Sequence, residues 1–63
     1  MVGYKIRKLM KRLECTQARL ALEMNVSQPM ISAWCNDVEK VSRYRLEQLQ
    51  KIADYHDIKI CFM

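Results

Sequence analysis

Histidine occurs once in these 63 residues, at His56, and the cysteines, Cys15, Cys35 and Cys61, are odd in number and widely spaced. No C-x-x-C pair and no second histidine are present to build a zinc site, and a catalytic thiol would lack its base. The cysteines read as free thiols of a reducing cytosol, and no metal or cofactor is expected. A carboxylate pair, a nucleophile with its base and a phosphate-cradling loop are equally missing, so an enzyme is not expected. No apolar run approaches the ~20 residues of a membrane span, and no apolar h-region follows the basic amino terminus. Aromatic clusters of the kind that stack single-stranded bases are absent. What this leaves is one small domain, residues 1–63, in the cytoplasm. A chain this short buries only roughly 60% of its unfolded surface, so neither a sensor domain nor a small-molecule pocket is expected.

Positive charge, by contrast, is in excess. Lysine and arginine number eleven against seven acidic residues, for a net +4 and an isoelectric point near 9.2. That balance favours a polyanionic partner, although ribosomal and membrane-surface proteins share it.

Ile6, Leu9, Met10 and Leu13 recur at helical spacing, with Lys5, Arg7, Lys8, Lys11 and Arg12 on the remaining arc. This is an amphipathic first helix whose basic arc is either a phosphate-contacting or a merely solvated face. Thr16 can cap a second helix, Gln17 to Met24, because its hydroxyl can accept an otherwise unpaired amide. Leu20, Ala21 and Met24 share one face of that helix. Asn25 tolerates the left-handed backbone common at helix ends, which predicts a sharp turn at Asn25 and Val26.

Ser27 is then a second cap, and Gln28 and Pro29 are the first two positions of a third helix. The lone proline marks a start, not a break: the amide it lacks would have had no helical acceptor there, and its fixed φ suits initiation. At 100° per residue, Ile31 and Trp34 point inward with Met30 beside them. Gln28, Pro29, Ser32, Ala33 and Asn36 share the opposite face, which carries no charge. Two short helices joined by a tight turn, the second with a small neutral face, form the pattern of a helix-turn-helix reader of the DNA major groove. Gln can bond the adenine edge, Ser can donate or accept, and Ala or Pro can lie against a thymine methyl. A helical bundle whose third helix is uncharged outside fits the same periodicity.

Ser42 can cap a final helix on which Leu46, Leu49, Ile52 and Ala53 recur on one side, with Tyr44 and Tyr55 at its ends read as packing residues. In the terminal segment, residues 55–63, Ile58, Ile60 and Phe62 alternate with Lys59 and Cys61. Such a segment is a tail folded back on the helices or a short strand that pairs with a second copy.

The stretch TQARLALEMNVSQPMISAW, residues 16–34, resembles the helix-turn-helix of the lambda-repressor-like family, which includes the Cro and CI repressors of phages. Gln17, Ala21, Met24, Val26, Ile31 and Trp34 occupy its characteristic places, and the likeness extends over about residues 4–54, strongest over 16–36. The resemblance implies a mainly α domain of four to five helices that binds a near-palindromic operator in double-stranded DNA as a homodimer. It implies base reading by Gln28, Pro29, Ser32 and Ala33. Backbone contacts would come from Gln17, Ser27, Asn36, Lys40 and Arg43, and dimerisation from Ile58, Ile60 and Phe62. Asn25 stands where relatives most often have glycine, and Met10 with Cys35 where some pair a buried arginine and glutamate. An apolar pair can replace a buried ion pair without loss of stability.

Two functions of other classes are compatible with the same residues. One is an antitoxin-type interaction module in which DNA binding is secondary; the other is an RNA-binding or membrane-surface peptide that relies on the basic arc.

Overall fold

Three of the four helices start behind a hydroxyl residue in extended backbone: Thr16 (ψ 170°), Ser27 (ψ 155°) and Ser42 (ψ 159°). The computed structural model describes residues 1–63 as α1 (Gly3–Leu13), α2 (Gln17–Met24), α3 (Gln28–Cys35) and α4 (Arg43–Tyr55). No strand is present. Thr16 Oγ1 accepts the Arg19 amide at 3.2 Å and Ser42 Oγ the Arg45 amide at 3.4 Å, each satisfying an orphan donor of a first turn.

All four helices end alike, and none uses glycine. Glu14, Asn25, Asp37 and Asp57 take left-handed backbone, with φ of 54°, 59°, 57° and 57°. The next amide along then reaches back five residues: Cys15 to Met10 O (3.0 Å), Val26 to Ala21 O (2.9 Å), Val38 to Ala33 O (2.8 Å) and Ile58 to Ala53 O (2.8 Å). This closure satisfies carbonyls that the helix end would strand. It also keeps the α1–α2 and α2–α3 connections short, at residues 14–16 and 25–27.

Every segment feeds one core. α1 supplies Ile6, Leu9 and Met10; α2 supplies Leu20, Ala21 and Met24; α3 supplies Ile31, Trp34 and Cys35; α4 supplies Leu49 and Ala53. Val41 from the α3–α4 loop and Ile58, Ile60 and Phe62 from the tail complete it. No polar side chain is buried. Met10 and Cys35 are both in this core, so the apolar pair is accommodated without a charge.

Within one copy the tail folds back on the helices. Its alternating pattern does not make a strand: residues 58–63 are irregular and lie back on the helices. Gln50 of α4 supplies what a neighbouring strand would have supplied. Its Oε1 accepts the Phe62 amide at 2.8 Å and its Nε2 donates to Ile60 O at 2.9 Å. Lys5 Nζ donates to Cys61 O at 2.7 Å, tying the tail to α1 as well.

The two tyrosines of α4 are not packing residues. Tyr44 is 63% and Tyr55 86% exposed. The Arg45 guanidinium carbon lies 5.1 Å from the Tyr44 ring centre, and the Tyr55 ring meets His56 edge-on at 5.2 Å. Both sit at the rim of α4, where the Leu49–Ala53 face has already turned away.

Candidate nucleic-acid interface

α3 is amphipathic in an unusual sense, with an apolar inner side and an outer side that is polar yet uncharged. Ile31, Trp34 and Cys35 are buried, at 0%, 4% and 1% exposure. Gln28, Pro29 and Asn36 are exposed, and Ser32 and Ala33 are half-buried at the edges of the outer face. Met30, read as lying beside the inner pair, is 40% exposed and extends the outer face with an apolar side chain.

The amino end of α3 differs from a standard cap. Ser27 occupies the cap position, but its hydroxyl accepts no backbone amide. The reason is local. A capping hydroxyl serves the second or third helical amide; here the second residue is Pro29, without an N–H, and the Met30 amide bonds Ser27 O at 3.1 Å. The sequence thus leaves the Ser27 hydroxyl beside Gln28 with no partner inside the protein.

At the carboxyl end every carbonyl of the last turn is accounted for. Ser32 O accepts the Asn36 amide (3.1 Å) and Asn36 Nδ2 (3.0 Å); Ala33 O accepts Val38 and Trp34 O accepts Asp37. Cys35 O accepts the Arg7 guanidinium from α1. Asn36 therefore spends one side-chain amide hydrogen within the helix while the residue stays exposed. Asp37 Oδ1 accepts the Gly3 amide at 3.0 Å, so the first turn of α1 is fastened to the residue that closes α3.

The helix before it is held in the same way. Arg45 of α4 donates to Met24 O at 3.2 Å and to Gln48 Oε1 at 2.6 Å. Each motif helix therefore presents its negative carboxyl end to a guanidinium from a helix outside the motif, a favourable match of charge to dipole. Gln17, the first residue of α2, is half-buried, and Lys40 and Arg43 are exposed. Lys40 has no ion-pair partner, and Arg43 meets Glu47 at 3.8 Å in an exposed pair worth little in water. Both cations are available to phosphate.

Burial pushes the Cys15 and Cys35 thiols up from their ordinary value, Arg19 and Arg7 respectively acting against the shift and Glu23 and Asp37 reinforcing it. A thiol held in its protonated form is a poor nucleophile. No three His, Cys, Asp or Glu side chains stand together as a metal site. A cleft of 580 Å3 is lined by Leu13 of α1, Cys15 of the α1–α2 turn, Leu20 of α2 and Ile52 of α4 among others, and none of its lining residues comes from α3. No helix is long and apolar enough to cross a membrane.

No pattern of spacing in the sequence pointed to the residues that fasten this motif, Gly3, Arg7, Asp37 and Arg45, or to Gln50, which fastens the tail. One signal was present, since the only glycine of the chain stood at the start of a helix, where a side chain would have cost nothing locally.

Two short helices, a left-handed turn at Asn25 and an outward neutral face on the second helix define a helix-turn-helix domain. A helix-turn-helix family model matches residues 6–62, and the chain belongs to this family, the lambda-repressor-like one. It is a DNA-binding regulator of the helix-turn-helix type. Comparisons with curated proteins and with solved structures return no match.

Proposed function

We propose that the chain is a Cro-like phage or prophage repressor that binds a near-palindromic operator in duplex DNA as a homodimer and blocks transcription by occupying it. Gln28, Pro29, Ser32 and Ala33 read base edges in the major groove. Gln17, Ser27, Asn36, Lys40 and Arg43 hold the flanking phosphates. The observation that carries this reading is the outer face of α3, uncharged along its length and headed by a serine hydroxyl and a glutamine with no partners inside the protein. An acidic side chain there would be repelled by phosphate, whereas Gln, Ser, Ala and Pro can each meet a base edge.

The dimer follows from scale and from the tail. One copy measures 27 Å along its longest axis, whereas successive major-groove faces are about 34 Å apart. Two copies in contact are needed to fill both half-sites. The side chains of Ile58, Ile60 and Phe62 point into the core, which leaves Lys59 and Cys61 between them on the outside. Along that outer edge the Lys59 N–H and C=O and the Cys61 N–H have no partner within the chain. Pairing of this edge with its two-fold mate is the proposed dimer contact.

Selection of bound sequences from a random duplex pool at near-physiological salt tests the reading. The expected outcome is a motif with two-fold symmetry and half-sites one helical turn apart. A flat pool would refute sequence reading; a single unrepeated half-site would refute the dimer.

A further inference from the structure

We propose that Arg7 is a positioning residue for groove reading: bound to the Cys35 carbonyl, it fixes the tilt of α3 against α1. The proposal rests on the assignment of α3 as the reading helix.

The core alone does not set that tilt. Ile31 and Trp34 bury one side of α3, but apolar burial is non-directional and tolerates small rotations about the contact. The directional ties from outside the motif all meet the carboxyl end of α3, and they come from the first turns of α1. Arg7 donates to Cys35 O, and the Gly3 amide donates to Asp37 Oδ1 at 3.0 Å. Residues 3 and 7 lie one turn apart on the same face of α1, so the two ties form a bracket rather than a pivot.

Gly3 makes the bracket close: a Cβ there would stand 2.4 Å from Cys35 O. Arg7 is in no ion pair, so no carboxylate competes with the negative end of α3 for its guanidinium, although the residue as a whole is exposed. Cys35 O has no other donor.

A lever connects this bracket to the bases. Gln28 lies seven residues from Cys35 (35 − 28), about 10 Å along a helix. A tilt of about 6° at the bracket then moves the Gln28 end by about 1 Å, more than the few tenths of an ångström over which a hydrogen bond keeps its strength.

The test compares Arg7→Met and Arg7→Lys with the natural chain, on the duplex that the natural chain selects and on random duplex. Far-UV circular dichroism confirms that each variant is folded at the assay temperature. Arg7→Met should lower the ratio of the two affinities by about tenfold, the scale of one good base contact. Affinity for random duplex should stay within about twofold and the salt slope should not change. Arg7→Lys, which still carries a donor, should restore most of the ratio. A merely destabilised chain would weaken both affinities together, and a direct phosphate contact would weaken both and flatten the salt slope; either result overturns the proposal, as does an unchanged ratio.

Should Arg7→Met not fold, Asp37→Gly takes its place. It suits the left-handed backbone at φ 57° and removes only the Gly3 tie, so the ratio should fall by a smaller factor, and an unchanged ratio overturns the bracket. Amide exchange on the free protein separates the two levels. With the bracket real, Asn36, Asp37 and Val38 exchange at least about tenfold faster in Arg7→Met. If the natural chain shows no sequence preference while exchange still responds to Arg7, the DNA reading has failed and the bracket has not. If preference is present and exchange does not respond, the bracket has failed alone.

Discussion

Replacing Gly3 with alanine should destabilise this protein, although the same change inside a helix is ordinarily stabilising. Alanine gains up to about 1 kcal/mol over glycine from helix propensity, and less at a first helical position. Against that, the new Cβ would lie 2.4 Å from Cys35 O, 2.8 Å from Asp37 Oδ2 and 2.9 Å from Cys35 C. Two of those atoms are backbone, fixed by the end of α3, and cannot step aside as a flexible side chain would. Forcing α1 and α3 apart costs about 1–3 kcal/mol by the standard of overpacked sites. Lengthening the Gly3–Asp37 hydrogen bond removes about 1 kcal/mol more. The net loss is about 2 kcal/mol. For a domain of this size each kcal/mol moves the melting midpoint by about 4–8 °C, so the midpoint should fall by about 8–16 °C. Thermal and urea denaturation followed by circular dichroism measure it, with the urea midpoint lowered and the m value unchanged. An alanine variant as stable as the natural chain, or more so, would show that α1 and α3 do not meet as described.

Glu14→Gly should stabilise the domain by about 1 kcal/mol, because Glu14 sits at φ 54°, where a Cβ is strained and glycine is not; urea unfolding checks the sign. Gln50→Ala removes both carboxamide bonds to the tail and should cost about 2 kcal/mol. Limited trypsin digestion should then show faster cleavage after the exposed Lys59 than in the natural chain. Among the thiols, a maleimide should label exposed Cys61 within the mixing time and buried Cys35 only as the domain unfolds. Burial raises the folded-state pKa of Cys35 above its unfolded value, so the native form keeps a proton that the unfolded chain loses. Stability from this source is full below about pH 8.5 and declines as pH rises above it; urea midpoints between pH 7 and 10 measure the decline.

The helices were legible because their signals are local. Thr16 and Ser42 cap by contacts within three residues, Asn25 turns the chain by its own backbone preference, and Pro29 marks a first turn wherever that turn packs. The apolar spacings that placed Ile31 and Trp34 inside needed only the 3.6-residue period. Fastenings between helices were illegible for the opposite reason. Arg7 meets Cys35 across 28 residues and Gly3 meets Asp37 across 34, and no spacing along the chain announces either partnership. Glu14, Asp37 and Asp57 took left-handed backbone that glycine or asparagine more often occupies, so composition pointed elsewhere.

Alternation at the tail marked which side chains are buried but not what pairs with the backbone. Ile58, Ile60 and Phe62 bury alternate side chains as a strand would, but a single glutamine replaced the neighbouring strand. Ser27 was placed correctly at the start of α3, whereas its hydroxyl was not used as a cap because Pro29 removed the donor. The candidate site was thus readable as a face and a position, and its rigidity was not.

Titration of the 15N-labelled protein with the duplex recovered by selection is the most direct measurement of the central claim, that the outer face of α3 enters the major groove. The largest shifts should fall on the Gln28 carboxamide and on the amides of Ser32, Ala33 and Asn36, with smaller ones at Gln17, Lys40 and Arg43 and none in the Tyr55–His56 region. Shifts confined to Lys8, Lys11 and Arg12, with α3 unmoved, would contradict it and assign the basic face of α1 as the surface that meets nucleic acid.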